Sequence, residues 1–572
     1  MLTHDRRTFI TGSLAAVAFA SVARAVPAGA VPADSAAAAT VPPNFPAGIT
    51  LFRQKYQNWS KEIVVDGVWT CSPRHADDVV TLADWAVEHG YRLRPRGAMH
   101  GWTPFTIEVG EDLSRVVLVD TMTGMTEVSV DIERSTVTAG AGATLHAILS
   151  ALEARGLAWS SVPAPGVLSI AGALAVGAHG AALRATGEVG APGSTLGSLS
   201  NLVTSMRVVA KGSNGFELRT VARSDDDAPA LATHLGRAFV TEVTLQAHEL
   251  VPMRCRSFTD IGWSEMFAPA GTPGRTMESL LDSAGRAEAI WYPFTDTPWV
   301  KVWSLAPMRP PGSRQVTEPY NYPFSDTLPE AVSDVIGAVV SGRTELTPGL
   351  GRMFLAATVA GLAATASSDI WGNPKNVQFY IRPSTLLLTE GGGAVLTSRA
   401  NAATVVHDFT QWFRARVDHY ASLGRYPING PVEIRCCGLD SPDDVLVESA
   451  GSPTLSAMRP RSDRPEWDTA IWLNVLGIPG TPGMFAFYRE MEQWMRQRFD
   501  GVDSMFRPEW SKGWAFSEDR PYADAEALGS VIPQSYRDGY EGDRTWDTVV
   551  DVVDRLDPDR VFSNAFLDRF VR

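Results

Sequence analysis

Residues 93–102, LRPRGAMHGW, constrain the fold more sharply than any other stretch of this sequence. The turn in this segment directly follows YRLRP, a run whose composition predicts a β-strand. Gly97 and the small Ala98 permit a tight turn whose successive N–H groups can surround a pyrophosphate, and the nearby arginines would offset its charge. His100 ends the turn with an imidazole that can act as a nucleophile. Spacing alone does not separate this interpretation from an ordinary surface loop.

A second segment, residues 156–200, is crowded with glycine, alanine and serine. Residues without bulky side chains let the backbone approach another group closely, as loops that hold a nucleotide do. The segment contains IAGALAVGAHG and is followed by LVTSMRVVA and AFVTEVTLQA, which we predict to be paired strands. These features together predict one α+β unit that ends near residue 250.

Two amphipathic helices are expected in the same unit. The first would begin with Ser72 as N-cap and Pro73 at its first position, and Gly90 would close it. The apolar face of the second is predicted from Leu145, Ile148, Leu149 and Leu152.

The two loops resemble those of the vanillyl-alcohol-oxidase family of flavoproteins. Its first FAD loop is similar to RPRGAMHGW, its second is similar to IAGALAVGAHG, and VTEVTLQA is similar to a strand that flanks the isoalloxazine. Within that family the chain resembles the type II, covalent-FAD cholesterol oxidases, through RPRGAMHGWTPF, AIWYPFTDTPWVKVW, PVEIRCCGLD, AIWLNVLG and RPEWSKGWAF. The resemblance implies a cofactor, FAD, bonded covalently to His100 through its 8α-methyl group. It also implies cofactor-binding roles for Arg96, Gly97, Ala98, Met99, His100, Gly101, Gly172, Gly177, His179, Gly180, Val240 and Lys512.

The expected fold class is α+β, a two-domain vanillyl-alcohol-oxidase-type FAD-binding fold with an inserted substrate domain on a mainly antiparallel sheet. The 572 residues exceed the roughly 250–300 at which single cores stop growing. Runs such as EAIWYPF, WVKVWSL, VQFYIRP, PVEIRCCG and TAIWLNVLG predict strands with one buried face. We therefore predict an FAD-binding domain at 50–250, a substrate-binding domain at 251–505, and a C-terminal segment, 506–572, that completes the FAD domain.

Catalytic candidates come from the predicted strands of the substrate domain. Glu433 and Arg435 are two residues apart in PVEIRCCG, so both side chains project to one face of the strand. A surface ion pair is the alternative, but the apolar surroundings favour partial burial, and a similar pair lines the flavin site in type II cholesterol oxidases. Asn474, Glu288 and Glu390 are also candidates, because a buried amide or carboxylate is normally paired or functional.

The chemistry implied by the resemblance is oxidation of a 3β-hydroxysterol to the 3-ketosteroid, with oxygen reduced to hydrogen peroxide and the Δ5 double bond moved to Δ4. A carboxylate would take the hydroxyl proton, and Arg435 would stabilise charge that develops on oxygen. Glu288 or Glu433 could move the isomerisation proton, and the sequence does not separate them. The implied partners are a sterol and molecular oxygen, with transient membrane-surface contact as the route for sterol extraction and a monomer as the expected state.

Residues 1–30 resemble a twin-arginine-type signal peptide. They contain an arginine pair at 6–7, the apolar run GSLAAVAFASV, and ARA at 23–25 as the cleavage site. Residues 31–49 would be a linker. Because this route exports folded proteins, we expect a secreted or extracellular enzyme that binds its cofactor before export. We expect no later run to be long and apolar enough to span a bilayer, so the mature chain is expected to be soluble.

Composition excludes other classes. The 50 Lys and Arg against 64 Asp and Glu give a formal net charge of -14, the wrong sign for a nucleic-acid partner. No metal is expected, because the histidines form no HxxxH or HExxH pattern, and the 4 cysteines are too few for a disulfide scaffold. Two alternatives stay open: a sugar or aldonolactone oxidase of the same flavoprotein family, and a non-enzymatic sterol carrier.

Overall fold

Two sheets are built from the N-terminal part of the chain, as its β-branched runs predict. In this computed structural model the described residues are 41–323, 330–540, 542 and 544–572, so the predicted signal peptide and residues 31–40 of the predicted linker lie outside them. One sheet has the order β1-β2-β4-β3 and the other the order β5-β6-β10-β8-β9, while β7 and β11 form a short separate pair. The strands are β1 (Thr50–Gln57), β2 (Val64–Ser72), β3 (Arg92–Arg96), β4 (Val116–Asp120), β5 (Val128–Asp131), β6 (Thr136–Gly140), β7 (Leu157–Ala158), β8 (Val203–Gly212), β9 (Gly215–Ala222), β10 (Phe239–Gln246) and β11 (His248–Glu249).

The two expected helices are present, α1 (Ala76–His89) and α2 (Leu145–Glu153). The predicted start of α1 at Ser72 is wrong: His75 is the N-cap, because the Asp78 carboxylate accepts its N–H at 3.1 Å. Gly90 ends this helix at φ 67°, as predicted. The four apolar residues predicted for the face of α2 are all buried.

The remaining helices are distributed along the rest of the chain. They are α3 (Ile170–Ala175), α4 (Ala228–Ala232), α5 (Trp263–Met266), α6 (Met277–Ala284), α7 (Glu330–Val340), α8 (Thr347–Ala364), α9 (Pro374–Gln378), α10 (Ala402–Ser422), α11 (Met484–Arg498), α12 (Ile532–Ser535), α13 (Trp546–Leu556) and α14 (Ala565–Phe570).

The predicted substrate domain is built on a large sheet in the order β15-β16-β12-β14-β13-β18-β19-β17-β20. All neighbours in this sheet are antiparallel except β15 and β16, which confirms the α+β class and the mainly antiparallel sheet. Its strands are β12 (Met253–Phe258), β13 (Arg286–Trp291), β14 (Trp299–Leu305), β15 (Arg314–Gln315), β16 (Asp369–Gly372), β17 (Thr389–Thr397), β18 (Val432–Gly438), β19 (Thr469–Gly477) and β20 (Ser504–Pro508).

The two faces of this sheet have different chemistry. On one face, residues such as Trp291, Ile434 and Leu473 form a core with apolar residues of α10 and α11. On the other face, strand alternation collects polar and charged side chains from neighbouring strands. Cys436 lies in the core of the first face and Cys437 in a cluster on the second, as expected for adjacent strand residues.

One predicted strand of the large sheet is wrong. The predicted strand VQFYIRP, residues 377–383, is not a strand: its first two residues end the short helix α9, and the others follow it. The sheet contains β17 instead, with the sequence TEGGGAVLT, which pairs with β19. Glycine is disfavoured in strands, so the pattern does not predict β17. The tertiary structure requires it, because a Cβ on Gly392 would collide with the Leu473 carbonyl and one on Gly393 with the Arg507 carbonyl.

Residues beyond β20 return to the N-terminal sheets. Trp510, Trp514, Trp546 and Phe570 lie in a core that also contains residues of α2, β8 and β10. The predicted boundary at 505/506 falls inside β20, which pairs with β17, so the chain leaves the large sheet only after Pro508. Since Thr40–Arg572 forms one unit, the rest of the proposed domain division stays a prediction.

Helix α8 corrects the expectation that no run after the signal is long and apolar enough to cross a membrane. Thr344–Ala364 meets that test by length and composition, and 28% of its most apolar window is buried. Its apolarity comes from alanine, leucine, methionine, phenylalanine and valine, and the glycine, threonine and proline between them interrupt the apolar run in the sequence.

Candidate active site

A cavity of about 390 Å³ lies between the two predicted FAD loops and the charged face of the large sheet, and we call it the central cavity. Both loops reach it from the ends of strand β3 and helix α3. Of the residues predicted to bind FAD or act in catalysis, those that line it are Arg96, Gly97, Ala98, Met99, His100, Gly101, Gly172, His179, Val240, Glu390, Glu433, Arg435 and Lys512. The fold thus brings together segments that are more than 400 residues apart in the sequence.

The first loop approaches the second so closely that small residues are required. A Cβ on Gly97 would collide with the Ser169 hydroxyl, and one on Gly172 would lie 2.9 Å from the same oxygen. Met99 adopts φ 55°, a left-handed conformation that bends the chain just before His100. Arg96 pairs with Asp120 at 2.9 Å, so its charge is partly offset by the protein itself.

His100 lies in an aromatic setting at the cavity wall. Its ring centroid is 3.7 Å from that of Trp59 and 6.1 Å from that of Trp102. Burial, and to a smaller extent the nearby Lys512 ammonium, lowers the pKa of His100 to about 3. The imidazole is therefore neutral at physiological pH, which is the nucleophilic form.

Strand register explains how the catalytic candidates meet. Glu288 on β13 is the cross-strand partner of Arg435 on β18, and Glu433 is the partner of Asn474 on β19. Because cross-strand partners project to the same face, these side chains form one layer over the sheet. The charged groups of two strands, β13 and β18, and the amide of a third, β19, are concentrated there, beside the central cavity.

Arg435 is the centre of this layer. Its guanidinium lies 3.6 Å from the Glu433 carboxylate and 4.0 Å from those of Glu288 and Glu390. It also donates a 3.3 Å hydrogen bond to the Asn474 side-chain oxygen. Burial opposes the charged form, but the surrounding carboxylates raise the pKa of Arg435 above its usual value, so the residue is a fixed cation.

The carboxylates around Arg435 differ in their environments. Burial, partly opposed by Arg435, raises the pKa of Glu433 to about 7. Burial also raises the pKa of Glu390, which forms an ion pair with Lys512. The Lys512 ammonium in turn lies 4.0 Å from the Trp102 ring centroid. A carboxyl group that titrates near neutrality, as Glu433 does, can both accept and return a proton.

Asn474 is fully buried and connects Arg435 to a carboxylate that the sequence did not single out. Its amide donates to Glu509 at 2.9 Å, and Glu509 lies 3.7 Å from His179. Burial alone would lower the pKa of His179, but its contacts with Cys437 and Glu509 raise it to about 9. Although burial acts in the opposite direction, His179 and Lys512 hold the pKa of Glu509 well below its usual range.

Glu288 belongs to the same layer of side chains but does not line the central cavity. Both of its oxygens accept from the Tyr380 hydroxyl, at 2.8 and 2.7 Å, and the Lys301 ammonium is 3.8 Å away. Glu288, Tyr380 and Arg435 also line an adjoining small cavity of about 30 Å³. Tyr380 and Arg435 border both spaces.

Four predicted site residues lie off the central cavity. Asn474 acts through Arg435 and Glu509, Glu288 faces the small cavity, and Gly180 also lines the small cavity. Gly177, with φ 64°, follows the end of α3 and makes the left-handed turn there. Sequence reasoning missed Glu509, Tyr380 and Lys301. A signal existed for Lys301, because WVKVW places a lysine on the same strand face as two tryptophans.

The described residues contain no group of His, Cys, Asp and Glu side chains placed to hold a metal ion. They do fit FAD: glycine backbones that tolerate no Cβ line a cavity with a neutral histidine on its wall and a charged layer opposite. The first loop, the second loop and His100 would hold the cofactor, as the resemblance implies.

Comparison with known proteins agrees with this geometry. A family model described as "Cholesterol oxidase, substrate-binding" matches residues 252–572, and an "FAD binding domain" model matches residues 70–215. The crystal structure of cholesterol oxidase from Brevibacterium sterolicum is 54% identical, with a TM-score of 0.92, and the match covers 93% of this chain and 99% of that chain. A structure titled "Solvent-stable cholesterol oxidase" is 46% identical, with the same TM-score, and the match covers 93% and 100%.

A more distant match concerns sugar lactones. The L-gulono-1,4-lactone dehydrogenase of Mycobacterium tuberculosis is 23% identical over 518 residues, or 90% of this chain and 98% of that protein. The two cholesterol oxidase matches, at 54% and 46% identity, are at least twice as similar to this chain over a comparable share of it. The chain belongs to the family of cholesterol oxidases that join an FAD-binding domain to a cholesterol oxidase substrate-binding domain.

Proposed function

We propose that this protein oxidises the 3β-hydroxyl of a cholesterol-like sterol to the ketone, using FAD and molecular oxygen and releasing hydrogen peroxide. The observation that carries the proposal is the contrast between the two parts of the central cavity wall. One part is the charged layer around Arg435, and the other is mainly apolar, with Tyr380 and Thr385 as polar members among Ile290, Tyr292, Trp299, Ile381, Leu386, Leu388 and Leu476. An apolar wall with a few convergent polar groups suits a rigid hydrocarbon with a single hydroxyl.

The same contrast argues against the lactone alternative. A sugar lactone carries several hydroxyls, and each would need a partner that an apolar wall does not supply. A non-enzymatic carrier would have no need for a neutral His100 on the cofactor side or for a buried charged layer, which is costly to desolvate. Both alternatives are separated from sterol oxidation by one assay.

A peroxide-coupled assay tests the proposal with cholesterol, other 3β-hydroxysterols, glucose and L-gulono-1,4-lactone as substrates. We expect peroxide from the sterols at rates several orders of magnitude above those from the sugars. Equal turnover of the lactone would favour the alternative oxidase, and a colourless protein that binds sterol without producing peroxide would favour the carrier.

We propose further that FAD is attached covalently through His100. FAD supplies the acceptor for the hydride that leaves C3 of the sterol. The neutral imidazole is the form able to bond the flavin methyl group, and Trp59 restricts its ring position. Arg435 provides a fixed cation where negative charge develops on oxygen.

Glu433 is the carboxylate that we assign to the isomerisation of the double bond. It lines the central cavity directly, whereas Glu288 does not. Because burial raises the pKa of Glu433 to about 7, its carboxylate can take a proton from C4 and its acid form can return it to C6. A carboxylate with an ordinary pKa would return the proton less readily.

We propose that the enzyme is exported folded by the twin-arginine-type signal and meets its substrate at a membrane surface. Helix α8 supports the second point. Its Val359 is 44% exposed, and its Phe354 stacks on Tyr292 with centroids 5.4 Å apart. Since Tyr292 lines the central cavity, an apolar surface helix lies one side chain away from the substrate space.

A further inference from the structure

A buried lysine lies next to Glu288 in the charged layer and is enclosed by aromatic rings. The Lys301 side chain is fully buried, and its ammonium is 2.9 Å from the ring centroid of Tyr380. Three further ring centroids, those of Trp303, Tyr322 and Trp299, lie 4.9, 5.0 and 5.3 Å away. A desolvated ammonium among aromatic faces is stabilised as a cation by the ring quadrupoles.

The position of this lysine follows from strand register. Lys301 on β14 is the cross-strand partner of Glu288 on β13, and Glu288 is in turn the partner of Arg435 on β18. Glu288 therefore lies between two cations, with Lys301 at 3.8 Å and Arg435 at 4.0 Å. Its carboxylate is 1% exposed, so water contributes little to its solvation and the two cations dominate.

Tyr380 connects this buried carboxylate to the substrate space. It lines the central cavity, which Glu288 does not, and its hydroxyl donates to the Glu288 carboxylate at 2.7–2.8 Å. Burial, reinforced by the negative charge of Glu288, raises the pKa of Tyr380 well above its usual value. The phenol is thus protonated at rest, and it can accept a proton only while giving its own to Glu288.

We propose that Tyr380 contacts the sterol hydroxyl and relays its proton to Glu288, and that Lys301 is the positioning residue that keeps Glu288 ionised to receive it. The inference rests on the proposed sterol oxidation and names the proton path within it. The substrate O–H bond breaks as its proton joins the Tyr380 oxygen, while the phenol O–H bond breaks as its proton joins Glu288. The C3 hydride leaves to FAD as the C=O bond forms, so one proton and two electrons are accounted for.

Other titratable groups around Glu288 must be considered in any pH dependence. They are Lys301 on β14, Arg435 and Glu433 on β18, Tyr380, Arg286 and His179 at the small cavity, and Cys255 and Tyr322 beyond Lys301. Burial lowers the pKa of Lys301 to about 8, with Glu288 opposing that shift. Lys301 therefore retains most of its charge at pH 7, and Glu288 remains paired with a cation there.

The experiment measures anaerobic reduction of the holoenzyme flavin by cholesterol in a stopped-flow instrument across pH. We expect Tyr380→Phe, which keeps the ring beneath Lys301, to slow reduction about 10²-fold or more while sterol binding changes little. The control is Tyr320→Phe, a neighbouring tyrosine that packs on Tyr322 at 5.0 Å, which should reduce at the wild-type rate.

The variant Lys301→Met tests the positioning role. The substitution removes a positive charge that lies 3.8 Å from the Glu288 carboxylate. In the plot of flavin reduction rate against pH, the acid limb should therefore move to higher pH by about 1–3 units, and the rate should recover at higher pH. In a Glu288→Gln background the same substitution should cause no further shift. Infrared spectroscopy supplies a readout that needs no turnover: beyond the band of Glu433, Lys301→Met should show an additional protonated carboxyl band that persists about 1–3 pH units higher than in the wild type and is absent from the double variant.

These outcomes separate the two proposals. If sterol fails to reduce the wild-type flavin, the proposed function is wrong, and the infrared band alone then decides the role of Lys301. If the wild type is reduced and Tyr380→Phe reacts at the same rate, the relay is wrong.

If Lys301→Met lowers the melting temperature with no change in pH profile or infrared band, Lys301 only supports the fold. A Lys301→Met chain that does not fold leaves Tyr380→Phe to decide the relay.

Discussion

At the scale of single residues, this protein works by giving chemically similar groups different surroundings. Glu433 faces the cavity and titrates near neutrality, while Glu509 is held as an anion by His179 and Lys512. Glu288 lies between two cations and is reached through a phenol. The neighbouring charges and hydrogen bonds, together with burial, therefore distinguish carboxylates of the same residue type.

The first residue-scale prediction concerns the bond to FAD. The wild-type protein should stay yellow after acid precipitation, because a covalent link survives unfolding. His100→Ala should bind FAD and release it into the supernatant on denaturation. Absorbance of pellet and supernatant measures this, and loss of colour from the wild-type pellet would disprove covalent attachment.

The second concerns Glu433 and the double bond. Glu433→Gln should still oxidise sterol but release the Δ5-3-ketone, because no carboxylate remains to carry the C4 proton. In the wild type, the ionised fraction of Glu433 grows as pH rises through about 7, so the isomerisation rate should rise over the same interval. Chromatography of Δ5 and Δ4 ketones measures both effects. If the Δ4 product still dominates in the variant, another group carries the proton.

At the scale of elements, register and packing decide what each strand and helix contributes. Strands β13, β14, β18 and β19 each supply one or two charged or polar groups to the same layer, and none contains the site alone. The glycines of β17 let that strand pass close to β19 and β20. Helix α8 packs in an apolar cluster that includes Leu388, a residue of the central cavity wall.

The element-scale prediction concerns α8 and lipid. Val359→Glu places a charge on an exposed apolar position, so turnover of cholesterol in phospholipid vesicles should fall about tenfold or more through weaker membrane contact. Turnover of detergent-solubilised cholesterol should be unchanged. A control substitution at an exposed apolar position away from this helix, Val502→Glu, should affect neither assay. Equal loss in both assays for Val359→Glu would indicate damage to the fold instead.

At the scale of the whole molecule, the C-terminal residues contribute to the part of the fold that holds the predicted FAD loops. The C-terminal residues Trp546, Phe566 and Phe570 lie in the same core as the N-terminal strand β6 and helix α2. Arg94 next to the first loop donates to the Phe562 carbonyl, so the last residues also fix the loop that carries His100. The position of the first loop therefore depends in part on residues near the C-terminus.

The whole-molecule prediction concerns export. Replacing the arginine pair at 6–7 with two lysines should retain active, folded enzyme inside the cell, because the twin-arginine route depends on that pair. Peroxide-forming activity in medium and cell extract measures the distribution. Unchanged activity in the medium would show that another route exports the protein.

The family, the α+β class, both FAD loops and the pairing of Glu433 with Arg435 could be predicted from the amino-acid sequence. These properties are local: tight turns need glycine, helix faces repeat every three to four residues, and strand neighbours two apart share a face. The four buried residues of α2 and the opposite orientations of Cys436 and Cys437 follow from periodicity alone.

Which side chains meet in the site depends on the three-dimensional fold. Lys301, Tyr380 and Glu509 belong to the site because cross-strand register and chain crossings bring them within about 4 Å of Glu288, Asn474 or His179. Sequence periodicity carries no information about which strands are neighbours. The glycine-rich strand β17 also depends on the fold. It forms a strand against local preference because β19 and β20 supply its hydrogen bonds, and at Gly392 and Gly393 the backbones of these two neighbours leave no room for a Cβ.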